Sequence, residues 1–262
     1  MPELPEVETI VRGLRRKIIG KKIVTIDLRY QPLFALGKPK DVIHDQVASV
    51  SRHGKYIILT TKNNTHIIIH LRMTGQLLVT DQTYSADKHV HLIMHFADKT
   101  QLVYRDIRKF GRWLIVPKNK EPMDFINAGE DALAITPQKI QSLIERSTQR
   151  GLKAFLLDQT ALAGVGNIYA DEICFALGVD PETPLIKIKS KDLYSAMQDI
   201  LLLAIKHKGT SVSDYLTSAG AKGDFQNKLK IYQQTSCPTC GNQVLKKKVA
   251  GRTSHYCRNC QK

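Results

Sequence analysis

No stretch of this 262-residue chain approaches the ~18 consecutive apolar residues that a membrane-spanning helix requires, which excludes an integral helical membrane protein. Internal repeats and low-complexity tracts are absent too, so a solenoid or a long polar tail is excluded. Acidic residues are scarce: 24 Asp and Glu face 39 Lys and Arg, for a net charge of +15. Cysteines number only 5 and no secretory leader is expected, which argues against a disulfide-stapled fold and for a reduced, cytosolic setting. What the chain does have is apolar mass. A hydrophobic content of 42% supports a packed core, in one large domain or in two smaller ones with an appendage.

The positive charge is unevenly placed. Residues 1–130 carry an excess of +8 and residues 181–262 an excess of +9, whereas 131–180 carry −2. Two basic flanks around a near-neutral middle suit a polyanion held between basic walls, and a nucleic acid is the leading partner.

Chemistry concentrates at the two ends. The chain opens Met1-Pro2-Glu3-Leu4-Pro5-Glu6, and a small second residue invites removal of the initiator methionine. Pro2 would then carry a free secondary amine. An α-amino group titrates near ~8, so a useful fraction is neutral and nucleophilic at neutral pH. Such an amine can attack a sugar C1′ and form an iminium, the logic of Schiff-base lysines, and Glu3 beside it could protonate the departing or ring-opening oxygen. At the other end, Cys237-Pro238-Thr239-Cys240 and Cys257-Arg258-Asn259-Cys260 are two Cys-x2-Cys knuckles separated by 16 residues. That spacing suits one tetrahedral four-thiolate zinc site, with a disulfide pair as the less favoured alternative. The fifth cysteine, Cys174, lies in an apolar helical stretch.

Local pattern predicts an α+β fold. Val7, Ile10, Val11, Leu14 and Ile18 recur on one face of a helix predicted over 5–19, with Gly20 as its stop. Segments 23–30, 47–61, 66–80, 89–97 and 100–116 are rich in Ile, Val, Leu and Thr, with turns at Asn63-Asn64 and Asp98-Lys99. Antiparallel pairing into a β-sandwich is the simplest architecture for them. Helical patterns follow at 137–147, 152–159, 167–178 and 191–208. Gly164-Val165-Gly166-Asn167 reads as a tight turn into a helix whose N–H groups could seat a phosphate. The expected domains are a catalytic β-sandwich at 1–117, a linker at 118–136, a helical DNA-binding domain at 137–235 that includes a mobile loop at 217–235, and a zinc finger at 236–262.

Taken together, these residues resemble the formamidopyrimidine-DNA glycosylases, bacterial repair enzymes that remove oxidised purines. The resemblance runs through 2–9, 52–56, 70–75, 88–91, 106–111, 156–172 and 252–261. It implies a helix–two-turns–helix element at 156–172 and a bifunctional DNA glycosylase and abasic-site lyase of base excision repair. The implied substrate is double-stranded DNA containing damaged bases such as 8-oxoguanine and formamidopyrimidines, processed through a Pro2 Schiff base and β,δ-elimination to a one-nucleotide gap.

Residue by residue, Glu3 matches the proton donor to the deoxyribose ring oxygen, and Glu6 matches a further active-site carboxylate. The position of Glu6 near a helix start also suits the helix dipole on its own. Lys55 matches a lysine at the phosphate flanking the lesion, implicated in catalysis. Arg252, at the expected tip of the zinc hairpin, matches an arginine that assists phosphate elimination. A base must leave the stack before it is excised. Met73, placed at a strand end, Arg108 and Phe110 are the implied fillers of the vacated space, with Phe110 wedged between bases. His70, His89, Lys153, Asn167 and Tyr232 match phosphate or other DNA contacts.

One structural Zn2+ on Cys237, Cys240, Cys257 and Cys260 is expected, with no catalytic metal, in a monomeric, cytoplasmic, nucleoid-associated enzyme. Two other readings stay open. One is a superfamily relative acting on oxidised pyrimidines, against which Leu4 and Val7 argue; the other is a non-catalytic zinc-containing DNA-binding protein.

Overall fold

The apolar spacing predicted over 5–19 forms helix α1 at Leu4–Ile18. Pro5 falls in the first turn, where its missing N–H costs no hydrogen bond, and the Glu6 carboxylate accepts the Glu3 N–H at 2.7 Å. Gly20, at φ 82°, takes the left-handed conformation that ends the helix cleanly. Val7, Ile10, Val11, Leu14 and Ile18 are fully buried, worth roughly 1.5–3 kcal/mol each by apolar area.

The structure is a computed structural model that describes residues 1–211 and 215–262. Nine strands follow α1: β1 (Ile23–Leu28), β2 (Phe34–Leu36), β3 (Val47–His53), β4 (Tyr56–Thr61), β5 (His66–His70), β6 (Gly75–Thr80), β7 (Val90–Phe96), β8 (Gln101–Asp106) and β9 (Arg112–Val116). They form a four-stranded sheet in the order β1-β7-β8-β6 and a five-stranded sheet in the order β2-β9-β5-β4-β3. Ile57, Leu59, Ile67, Ile69 and Trp113 of one sheet and Leu77, Leu92, Met94, Leu102 and Tyr104 of the other share a single core with α1. Pairing is antiparallel except for β2, which runs parallel to β9.

Three of the predicted strands are each two strands. The breaks fall at 54–55, 71–74 and 107–111, and at the last two the chain passes from one sheet to the other. Gly54 has φ 53°, but Arg72 (54°) and Lys109 (58°) supply the left-handed turns elsewhere. Neither arginine nor lysine carries a turn signature, which is why the pattern reads as unbroken.

The chain divides into two units, Met1–Asn127 with His207–Asp224, and Ala128–Lys206 with Phe225–Lys262. This partition cuts across the expected boundaries at 117, 137 and 235. Several described side chains of His207–Asp224 bury in the first unit. Tyr215 enters the sandwich core, and Leu216 covers Leu78, Val90, Ile93 and Val103 on the other face of the four-stranded sheet. Val79 N–H donates to Ser218 O at 2.9 Å. Gly13 leaves room for Ser218, since a Cβ there would lie 2.0 Å from its Oγ.

The second unit holds β10 (Glu130–Asp131) paired parallel to β11 (Leu162–Ala163), and helices α2 (Pro137–Glu145), α3 (Leu152–Leu157), α4 (Asn167–Ala176) and α5 (Ser190–Lys206). It ends in an antiparallel hairpin of β12 (Leu245–Val249) and β13 (Arg252–Tyr256). Thr136 caps α2 by accepting the Lys139 N–H at 3.3 Å. Ile140, Ile144, Phe155, Leu156, Tyr169, Ile173, Leu193, Met197 and Leu201 are buried in this unit. Among the described residues, no helix is long and apolar enough to cross a membrane.

Candidate active site and metal centre

Strand register gathers most of the candidate residues of the first unit at one end of the sandwich. His53 pairs with Tyr56, Tyr56 with His70, His70 with Arg112, and Gly75 with Asp106. The turns at 54–55, 71–74 and 107–111 therefore emerge side by side. Helix α1 reaches the same end: Glu8 pairs with Arg52 at 3.0 Å, both nearly buried, and Arg52 Nη1 donates to Gly54 O at 3.0 Å. That chain of contacts sets the turn carrying Lys55 against the first turns of α1.

Pro2, Glu3, Glu6 and Lys55 are all buried, while Met1 is exposed. Glu6 accepts the Glu3 N–H through Oε2 and the Thr210 N–H through Oε1, each at 2.7 Å. Gly209, at φ 78°, lies so close to Glu6 that a Cβ would sit 2.7 Å from Oε1. Tyr215 closes the same corner by donating to Lys208 O at 3.0 Å. Glu6 thus fixes the start of α1 to the 208–210 stretch.

His70 is held neutral. Burial, then the cations Arg72 and Lys55, push its pKa down to about 3. Its Nδ1 accepts the Arg72 N–H at 3.0 Å, which leaves the proton on Nε2. The Tyr56 ring stands edge-on to it at 4.7 Å. Met73 lies inside the 71–74 turn rather than at a strand end, and Gly75 opens β6. Met73 and Phe110 are large apolar side chains left 38% and 48% exposed, and the Arg108 guanidinium lies 4.7 Å from the Phe110 ring centroid. His89, just before β7, is half-buried, and its carbonyl accepts the Asp106 N–H at 2.9 Å.

In the second unit, Asn167, Tyr232, Arg252, Thr253 and His255 line one open depression with Lys246. Arg252 is exposed next to the Ala250-Gly251 turn, where Gly251 has φ 73°. Asn167, the first residue of α4, donates through Nδ2 to Thr253 O at 3.0 Å. Tyr232 packs edge-on against His255 at 4.9 Å, and its N–H donates to Glu172 Oε1 at 2.9 Å.

Lys153 lies apart from this depression. It is fully buried, its Nζ 2.6 Å from Asp171 Oδ1, 2.7 Å from Ser254 Oγ and 3.1 Å from Thr253 O. Asp171 Oδ2 in turn takes the His255 N–H at 2.9 Å and faces its Nδ1 at 3.0 Å. The lysine is a structural tie between the helices and the hairpin that carries Arg252. Sequence reasoning missed Asp171 as well as Asp106, Thr74 and the Glu8–Arg52 pair, although all of them lie within the matched segments.

The four Sγ atoms of Cys237, Cys240, Cys257 and Cys260 all lie within 4.8 Å of one another, with Cys237–Cys260 at 3.8 Å and Cys240–Cys257 at 3.5 Å. A disulfide would need ~2.05 Å. A tetrahedron of Zn–S bonds of about 2.3 Å has edges of about 3.8 Å, so the donors fit one metal ion with no open position.

Comparison with known proteins bears on both units. A family model described as the formamidopyrimidine-DNA glycosylase N-terminal domain matches residues 1–113, and one described as the H2TH domain of the same glycosylase matches 129–215. The chain belongs to the formamidopyrimidine-DNA glycosylase family. Family proteins from Desulforamulus reducens and Listeria monocytogenes are each 37% identical to it; the alignments span 100% of this chain and 99% and 100% of those proteins. A Lactococcus lactis family member in complex with DNA containing N7-benzyl-Fapy-dG has a TM-score of 0.90 at 34% identity, covering 99% of both chains. The same protein in complex with DNA containing an abasic site matches equally well, with a TM-score of 0.90. The N-terminal helix, β-sheets and helical H2TH region described above are the fold of this glycosylase family.

Proposed function

We propose that this chain is a bifunctional DNA glycosylase and abasic-site lyase that excises oxidised purines, among them 8-oxoguanine and formamidopyrimidines, from double-stranded DNA. The observation that carries this reading is the grouping at one end of the sandwich: the Pro2–Glu3 start of α1, the Lys55 turn, and the exposed Met73 and Phe110 beside Arg108. The lesion-bearing DNA in complex with the solved relatives supports the substrate class.

Once Met1 is removed, the Pro2 amine attacks C1′ of a flipped nucleotide and the C1′–base bond breaks. Glu3 protonates the ring oxygen, the sugar opens, and an iminium joins Pro2 to C1′. The iminium acidifies the C2′ proton; its loss expels the 3′-phosphate, and a further elimination expels the 5′-phosphate. Lys55 and the Nε2–H of neutral His70 are donors suited to backbone phosphates, and Arg252 suits a departing one. Asn167 and Tyr232 serve as further DNA contacts, and His89 as one beside the Asp106 turn. Glu6 acts by position, holding the N-terminal turn in place. Cys237, Cys240, Cys257 and Cys260 would hold one Zn2+ in a closed sphere, a structural role that would shape the hairpin and leave no open position for chemistry.

Duplexes carrying a single 8-oxoguanine opposite cytosine, a single thymine glycol, or no lesion test this reading. Scission at 8-oxoguanine with phosphate on both ends of the gap is expected. A strong preference for thymine glycol would favour the oxidised-pyrimidine reading, and tight binding without scission of any duplex would favour a non-catalytic binder.

A further inference from the structure

Asp106, at the end of β8, is completely buried, and four donors converge on its carboxylate. Thr74 Oγ1 donates to Oδ1, which also accepts the Arg108 N–H at 3.2 Å. Oδ2 accepts the Tyr104 hydroxyl and the Gly111 N–H, both at 2.9 Å. The Arg108 N–H is shared with Thr74 Oγ1 at 3.1 Å. The main chain of Asp106 is tied as well: its carbonyl lies 2.7 Å from His91 Nε2. Burial alone would raise this carboxyl's pKa, but the hydrogen bonds from Thr74, Gly111, Tyr104 and Arg108 outweigh it and hold the pKa below the ordinary value.

The consequence is geometric. The N–H groups of residues 108 and 111 are drawn to one anion, so the chain between them arches outward and leaves Phe110 exposed at 48%. Thr74 is the neighbour of Met73, and its hydroxyl binds the 71–74 turn to the same centre. Gly111 completes the packing: a Cβ there would lie 1.6 Å from the Tyr104 hydroxyl.

We propose that Asp106, acting through Thr74, is a positioning residue that joins the Met73 turn and the Arg108–Phe110 turn into one preassembled wedge, so that both enter the duplex in a single step. This rests on the reading that these three side chains fill the space left by the flipped base. Two separately ordered turns would each lose conformational freedom on DNA, and the shared anion removes that cost beforehand. Asparagine cannot replace it, because its NH2 group would face donors where an acceptor is needed.

Asp106→Asn, Thr74→Val and Thr74→Ser distinguish the possibilities, read by stopped-flow fluorescence of 2-aminopurine placed beside 8-oxoguanine, with scission of an abasic duplex measured in parallel. Wild type is expected to give one rise. In Asp106→Asn and Thr74→Val the rise should split into two phases and slow by about tenfold, the loss of one charge-assisted hydrogen bond. Thr74→Ser, which keeps the hydroxyl, should restore the single rise, and abasic scission should fall much less than 8-oxoguanine excision. Should Asp106→Asn fail to fold, the Thr74 pair carries the test. A single, wild-type rise in Thr74→Val overturns the proposal, and so does an equal fall of excision and abasic scission in folded variants. Met73→Ala with Phe110→Ala probes the underlying reading separately: an unchanged rise there would mean that these side chains are not the wedge.

Discussion

Each unit presents an arginine held out by a buried aspartate, but the two aspartates work differently. Asp106 collects neutral donors, two hydroxyls and two peptide N–H groups, and faces no cation within that set. Asp171 instead meets the Lys153 ammonium at 2.6 Å, with both side chains fully buried, and shares the load with His255 and a thiolate cluster nearby in the hairpin. The first arrangement fixes direction: it sets where two short turns point while adding little that an apolar core could not supply. The second arrangement bears on existence, since the C-terminal stretch has only a small core (Ile231, Cys237, Val244, Cys257), and a metal held by the four cysteines together with the ion pair would keep it folded. Substitutions in the hairpin unit should therefore cost stability, and substitutions around the turns should cost function first.

Metal loss should produce the largest effect. Structural zinc sites contribute on the order of 10 kcal/mol to folding in isolated fingers, so Cys257→Ser should abolish metal binding and amide protection across β12 and β13. Hydrogen exchange with metal analysis checks this, and first-unit amides should be unchanged. Next comes the ion pair. Lys153→Met leaves Asp171 as an uncompensated buried charge and should destabilise the fold by about 3–5 kcal/mol in denaturant melts. Adding Asp171→Asn should cost far less than a second such loss, because the two residues share one interaction. A cost near zero for Lys153→Met would dissolve the contrast drawn above.

The pH dependence of stability sharpens the other half. Native His70 stays neutral until about pH 3, whereas the unfolded chain protonates it near 6.5. Between those values the unfolded state binds the extra proton, so stability is full above 6.5 and falls as pH drops towards 3. The fall attributable to His70 should be about 2–4 kcal/mol, and His70→Asn should flatten that part of the profile. Smallest is Gly111→Ala, which must displace the Tyr104 hydroxyl and should cost about 1–3 kcal/mol in stability.

Much of this was legible in the sequence where the signal is local. The spacing of Val7, Ile10, Val11, Leu14 and Ile18, with Gly20 behind them, gives α1 to within a residue at each end. Cys-x2-Cys spacing is likewise local and brings its four sulfurs together. The strand breaks at 71–74 and 107–111 were not legible, because Arg72 and Lys109 adopt left-handed backbone that their side chains do not advertise. The buried setting of Lys153 was not legible for a different reason. Its partner Ser254 lies 101 residues away, and nothing near position 153 distinguishes a buried lysine from one that meets phosphate. The 207–224 stretch is similar: Tyr215 and Leu216 reveal their destination only once the sheets they cover exist.

The central claim is that Pro2 is the nucleophile, and borohydride trapping tests it most directly. Wild type and Pro2→Gly, each with Met1 removed as confirmed by mass, are incubated with an 8-oxoguanine duplex and reducing agent. The account predicts a covalent protein–DNA band for wild type that is lost in Pro2→Gly while DNA binding persists. A band of equal strength in both, or none in wild type despite tight binding, would contradict it.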